Sequence, residues 1–155
     1  NTFKNEYGEM PADTVHYSQF LAALIRDGKL TFPNKVEKKV TFHDACFLGK
    51  HNGIYDEPRE VLSSIPGVEF EEMDRSRERA LCCEGGGGRM WVEAVEERGE
   101  RLAETRVNDA VALGADYLVT ACPFCLLTLQ DAVKTSGNEG KIEIIDLAVL
   151  AAMAL

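Results

Sequence analysis

The chain has 155 residues, enough for one ordinary domain with its own hydrophobic core. Hydrophobic residues make up 45% and charged residues 28%, a globular balance rather than a disordered one. The formal net charge of −9, with no basic stretch stronger than Lys35, Lys38 and Lys39, speaks against nucleic acid as a partner, and no apolar run approaches the ~20 residues a membrane span requires.

The polar start, Asn1 to Glu9, has neither an apolar signal-peptide core nor an initiator Met. The sequence is therefore expected to be a piece of a longer protein. Residues 14–28 space Val15, Phe20, Leu21, Leu24 and Ile25 as a helix, with Asp13 or Thr14 as its cap and Gly28 just past its end. Residues 29–37 read as a connector, so residues 1–35 are taken as an N-terminal helical segment and residues 36–155 as the main domain. A buried strand is expected at 39–46, then a helix from Asp56 with Pro58 in its first turn, closed by Pro66-Gly67. The alternation in 68–73 predicts a strand, and 89–113 the longest helix, with Val92, Val95, Gly99, Leu102, Ala103, Ala110 and Leu113 on one stripe. The apolar run 116–122 predicts a strand covered on both faces, followed by a helix over 124–134, a strand over 141–146 and a terminal helix from Leu147. Strands alternating with helices predict an α/β fold with a mainly parallel sheet flanked by helices.

Five cysteines, Cys46, Cys82, Cys83, Cys122 and Cys125, fall at the C-terminal ends of expected strands or on the loops after them. In a parallel sheet those loops gather along the C-terminal edge, where open α/β sheets place ligands. The odd count argues against a disulfide scaffold and for a reducing compartment, so the chain is expected to be cytoplasmic. Alone, the pair Cys122 and Cys125 fits a redox dithiol, half a zinc site or part of an iron–sulfur motif. Adjacent Cys82 and Cys83 run into Gly85, Gly86, Gly87 and Gly88. Glycines there let the backbone turn sharply, approach a bulky group closely and offer unobstructed N–H donors to sulfur.

The blocks "HDACFLGKHNGIYDEPREVLSSIPG", "ALCCEGGGGRMW" and "TACPFC" together resemble the cysteine-rich CCG domain. That domain is found in heterodisulfide reductases and in iron–sulfur oxidoreductases that work with electron-transfer flavoproteins. The resemblance covers roughly residues 38–150. It implies that Cys46, Cys82, Cys83, Cys122 and Cys125 hold a [4Fe-4S] cluster of non-cubane type, with Gly85 and Gly86 as its cradle. It also implies an electron-transfer module working with other redox subunits, an electron-transfer flavoprotein or a second CCG motif. This chain carries one motif where relatives commonly carry two, so either it is the C-terminal part of a longer protein, expected at the cytoplasmic face of a membrane, or its partner motif lies elsewhere. Two positions depart from the family pattern: Glu84 stands where Gly usually follows the Cys pair, and Ala45 where Pro usually precedes the first Cys. The competing readings are a structural Zn2+ domain used for docking and a metal-free thiol–disulfide oxidoreductase acting through Cys122 and Cys125.

Other residues read more plainly. His43 and His51 are expected to bond backbone in their loop, Arg89 either to pair with substrate or cluster charge or to be solvated or paired with Glu84, and Trp91 to pack in the core. Phe124 is expected to shield the cysteines from water, and Glu93 to Glu104 to form a solvated helix face.

Overall fold

Four short strands carry the β-branched and aromatic residues that suit a covered sheet: β1 (Lys38–His43), β2 (Val68–Phe70), β3 (Tyr117–Thr120) and β4 (Glu143–Asp146). They lie in the order β2-β1-β3-β4, and every neighbouring pair is parallel. The structure is a computed structural model that describes residues 3, 6–8, 12–88, 91 and 101–155. The helices are α1 (Tyr17–Arg26), α2 (Asp56–Ser64), α3 (Leu102–Ala112), α4 (Pro123–Thr135) and α5 (Leu147–Met153). Helices α1 and α5 pack with α2, while α3 packs with α4. The expected α/β fold with a parallel sheet and flanking helices is what the chain adopts.

The core follows from this layering. Val40 and Phe42 of β1, Leu118 and Val119 of β3, and Ile144 and Ile145 of β4 are buried, together with Val61 and Leu62 of α2, Val107 and Ala110 of α3 and Leu129 of α4. Burial of side chains on both faces of β3 explains why that segment reads as a continuous apolar run, while in β1 the polar Thr41 and His43 are buried along with Val40 and Phe42.

Several boundaries differ from the sequence reading for local reasons. Helix α1 is capped by His16, not by Asp13 or Thr14: the ring nitrogen of His16 accepts from the Ser18 amide at 3.2 Å, and Gln19 reaches back to the His16 amide at 3.2 Å. Strand β2 ends at Phe70, because beyond it Glu72 turns to pair with Arg59 and Met73 enters the core. Of the helix expected over 89–113, Leu102–Ala112 is helical and Gly114 follows with φ +69°, while residues 89, 90 and 92–100, including Arg89, Val92, Val95 and Gly99, lie outside the described residues. Trp91 is 81% exposed rather than packed in the core, and Phe124 is half exposed at the rim of the cysteine loops, which limits how far it can shield them.

Candidate metal centre

The strand order reverses between β1 and β3: the chain leaves β1 toward β2 on one side and leaves β3 toward β4 on the other. Such a switch point opens a crevice at the strands' C-terminal ends. Cys46 follows β1, and Cys122 follows β3 as the N-cap residue of α4, with Pro123 opening that helix. The loop beyond β2 brings Cys82 and Cys83 to the same edge.

The loops are pinned by a buried ion-pair staple. Asp44, just past β1, accepts two hydrogen bonds from the Arg59 guanidinium at 2.8 and 2.9 Å, and a third from the Arg77 amide at 2.7 Å. Arg59 also bonds Glu72 and the Tyr55 carbonyl. Burial opposes the charge on Arg59, but the hydrogen bonds to Asp44 and Glu72 outweigh it and hold its pKa above the ordinary arginine value. A pair this well satisfied fixes the approach of the Cys46 loop to the Cys82 loop, and Lys50 adds a bond to the Ala80 carbonyl at 3.0 Å.

The five thiols are all free. The Sγ atoms of Cys83 and Cys125 are 3.1 Å apart, well beyond a disulfide bond of about 2.05 Å. Cys82 interacts electrostatically with Cys83 and Cys46, and Cys122 with Cys125 and Cys83, so the five lie along one chain of neighbours whose tight centre is Cys83 and Cys125. The Cys125 side chain foremost, then Cys82, His43 and the Gly85 amide, hold Cys83 below an ordinary thiol against the opposing cost of burial. Neighbouring cysteines and burial push Cys125 and Cys82 up. Cys122 is drawn down to about 6, first by the Cys125 side chain and then by the backbone N–H groups of Cys125 and Phe124 at the start of α4, against the opposing cost of burial. Free thiols close to one another, with backbone N–H groups pointing at two of them, form a donor set suited to a thiophilic metal or cluster.

The glycines divide their roles. The Gly85 amide points to Cys83 Sγ at 3.4 Å, and a Cβ on Gly85 would sit 2.9 Å from the Phe124 carbonyl oxygen and 3.0 Å from Thr128. Gly85 therefore allows the cysteine-pair loop to lie directly on α4. Gly86 faces open space, with nothing within 4 Å of an added Cβ. The residue that turns the chain after the pair is Glu84, at φ +64°, and its amide points to Cys82 Sγ at 3.3 Å.

The expectation that His43 bonds backbone is corrected by the structure. Its ring lies with Cys83 and Cys125 in a buried trio whose donor atoms fall within 4.8 Å of one another, and Arg106 of α3 donates to its Nδ1 at 3.4 Å. The signal available in the sequence is a histidine at the last residue of a strand, three before Cys46. Nothing local points to Arg106. His51 stacks its ring on Phe47 at 4.6 Å instead of bonding backbone through its side chain. Beside Cys122 a cavity of about 380 Å3 opens between the two switch-point loops and the segment before α1, lined by His16, Gln19, Phe47, Asn52, Cys122 and Pro123 among others.

A family model described as CCG, cysteine-rich domain, matches residues 40–130. The chain is 40% identical to the probable iron-sulfur-binding oxidoreductase FadF of Bacillus subtilis, with all of this chain and 22% of that protein covered. It is 40% identical to the EtfAB:quinone oxidoreductase of Syntrophomonas wolfei, over 94% of this chain and 21% of that one. It is 44% identical to one component of the dihydromethanophenazine:CoB--CoM heterodisulfide reductase of Methanosarcina acetivorans, over 95% of this chain and 35% of that one. The chain thus spans between 21% and 35% of the length of these relatives. No solved structure matches it significantly.

Proposed function

The chain belongs to the CCG cysteine-rich domain family, and on that footing we propose that it is the electron-transfer module of a heterodisulfide reductase-like iron–sulfur oxidoreductase. In this reading Cys46, Cys82, Cys83, Cys122 and Cys125 hold a [4Fe-4S] cluster of non-cubane type. The observation that carries it is the single chain of five neighbouring thiols, drawn from three separate loops to one switch point. Relatives named as iron-sulfur and heterodisulfide oxidoreductases support it. The residues present fit such a group: Cys83 and Cys122 are held below an ordinary thiol, and the Glu84 and Gly85 amides point at sulfur.

When bound, such a cluster takes up and passes on single electrons. The protein's part is to hold five thiolates, with Cys83 and Cys125 buried and Cys82 exposed, and to leave the cavity beside Cys122 open to a partner. That partner is another redox subunit or domain, an electron-transfer flavoprotein or a second CCG motif, in keeping with the modest share of each relative that this chain covers. Among the described residues no helix is long and apolar enough to cross a membrane, and we place the module on the cytoplasmic side.

The test is anaerobic reconstitution with iron and sulfide, followed by metal analysis and EPR. The expected result is about four irons and four sulfides per chain, with the signal abolished by Cys83→Ser. Stoichiometric zinc without iron uptake would replace this reading with the structural Zn2+ domain. A folded, metal-free chain whose Cys122 and Cys125 cycle between dithiol and disulfide would replace it with thiol–disulfide exchange.

A further inference from the structure

Behind the cysteines lies a cation that ligation by thiolates does not require. Arg106 is 0% exposed, an extreme place for a guanidinium. The carboxylate it meets is Asp109, 4.0 Å away and already held by Arg75 at 2.9 Å. Its donors go instead to the carbonyls of Arg75 and Phe42 and to Nδ1 of His43. Burial pulls its pKa down to about 10, so the guanidinium is still charged at neutral pH.

An arginine can only donate. The His43 nitrogen facing it must therefore be the acceptor, and a neutral imidazole with Nδ1 accepting carries its one proton on Nε2. His43 is 1% exposed, so water does not compete for that proton. The neighbours placed to receive it are the sulfurs of Cys83 and Cys125, which form with a ring nitrogen of His43 a group whose atoms lie within 4.8 Å of one another. The register that sets His43 opposite Thr120, at the very end of β1, aims the ring at the switch point.

We propose that Arg106 and His43 form a positioning pair: Arg106 locks the His43 tautomer, and the Nε2–H of His43 is held against Cys83 Sγ to raise the reduction potential of the group the thiolates bind. The inference rests on the iron–sulfur reading and adds a residue to it. His43 is a donor to a ligand's sulfur, not a ligand, and Arg106 acts through His43. Hydrogen bonds to sulfur stabilise the more negative, reduced state, as does a nearby buried cation. Cys83 held low by hydrogen bonds that include one from His43 is consistent with this geometry.

The experiment uses the full chain in two states. Without metal, NMR of 15N-histidine-labelled protein reads the tautomer: His43 protonated on Nε2 is expected, and protonation on Nδ1 overturns the pair. After loading, an EPR-monitored redox titration compares wild type with His43→Leu. The expected outcome is an unchanged iron and sulfide content and a tenfold shift of the redox equilibrium toward the oxidised form, equal to a midpoint lower by about 59 mV for a one-electron couple. An unchanged midpoint, or strong direct nitrogen coupling to the wild-type cluster, overturns it. Should His43→Leu fail to fold, His43→Gln and His43→Asn both keep an N–H, but only the longer side chain reaches the sulfur. Glutamine holding the wild-type midpoint and asparagine losing it supports the pair, and equal midpoints overturn it. A wild-type chain that takes zinc alone sinks the iron–sulfur reading and this inference with it, an outcome distinct from a loaded cluster indifferent to His43.

Discussion

Glu84 sits where the family pattern has glycine, and its backbone is left-handed at φ +64°. For a residue with a Cβ that conformation costs roughly 1 kcal/mol or more. The compensation is visible in its side chain, 11% exposed: Oε2 lies 3.6 Å from the Arg101 guanidinium and accepts from the Ala103 amide at 3.5 Å. The carboxylate thus crosses from the cysteine-pair loop to the first turn of α3, whose own N-cap, Arg101, supplies no side-chain cap. Glu84→Ala keeps the strained backbone and loses the cap, a loss of about 1–2 kcal/mol. Glu84→Gly loses the same cap but relieves the strain, so it is expected to be about 1 kcal/mol more stable than the alanine variant. Urea unfolding of the two variants side by side checks this, and equal midpoints would show that the left-handed turn is not costly. The cysteines and glycines of this loop are legible in the sequence because their types and spacing are unusual. The partners that complete the site are not, since His43 and Arg106 are 63 residues apart and meet only once α3 crosses the sheet.

Helix α1 illustrates what an element takes from its ends. The helical spacing of residues 14–28 is plain in the sequence, and the small polar residues Asp13 and Thr14 are the types that usually cap such a helix. The cap is instead His16, which works because its Nδ1 accepts the Ser18 amide and Gln19 closes a reciprocal bond. Burial is the main influence on this imidazole and lowers its pKa below 6.5, against a raising contribution from the Ala121 backbone. The folded state therefore disfavours the charged ring. The cap's stabilisation is complete above the unfolded value of 6.5 and is lost as pH falls through the lower folded value. Protonation also removes the lone pair that accepts the amide. Chemical denaturation from about pH 7.5 to about pH 5 is expected to show the loss of about 1 kcal/mol of cap energy. In His16→Asn, which caps without titrating, that decline is expected to flatten, and an equal decline would assign it to other groups. Strand ends escape the sequence for a similar reason: β2 stops at Phe70 because Glu72 is drawn to Arg59, a tertiary partner that no alternation pattern reveals.

At the scale of the whole molecule, the sheet and the cysteines are separable layers. The sheet is held by a core of buried aliphatic side chains and by four parallel strands, none of which contributes a thiol. The thiols ride on three loops joined to one another by the Asp44–Arg59 staple, the Lys50 bond to Ala80 and the close seating of Gly85 on α4. This predicts that the fold forms without metal and that loading tightens the loops rather than the sheet. Anything that binds only the folded state stabilises it, and for a chain of this size each kcal/mol raises Tm by roughly 2–4 °C. Hydrogen exchange on the metal-free and loaded chains is therefore expected to differ most at residues 44–55, 80–88 and 121–125, with Tm higher in the loaded form. Amides of β1, β3 and β4 are expected to be protected in both. If those strands exchanged freely until loading, the cysteines would be structural supports of the fold, as in small zinc domains that are unfolded without metal. The layered reading would then fail even with a cluster in place.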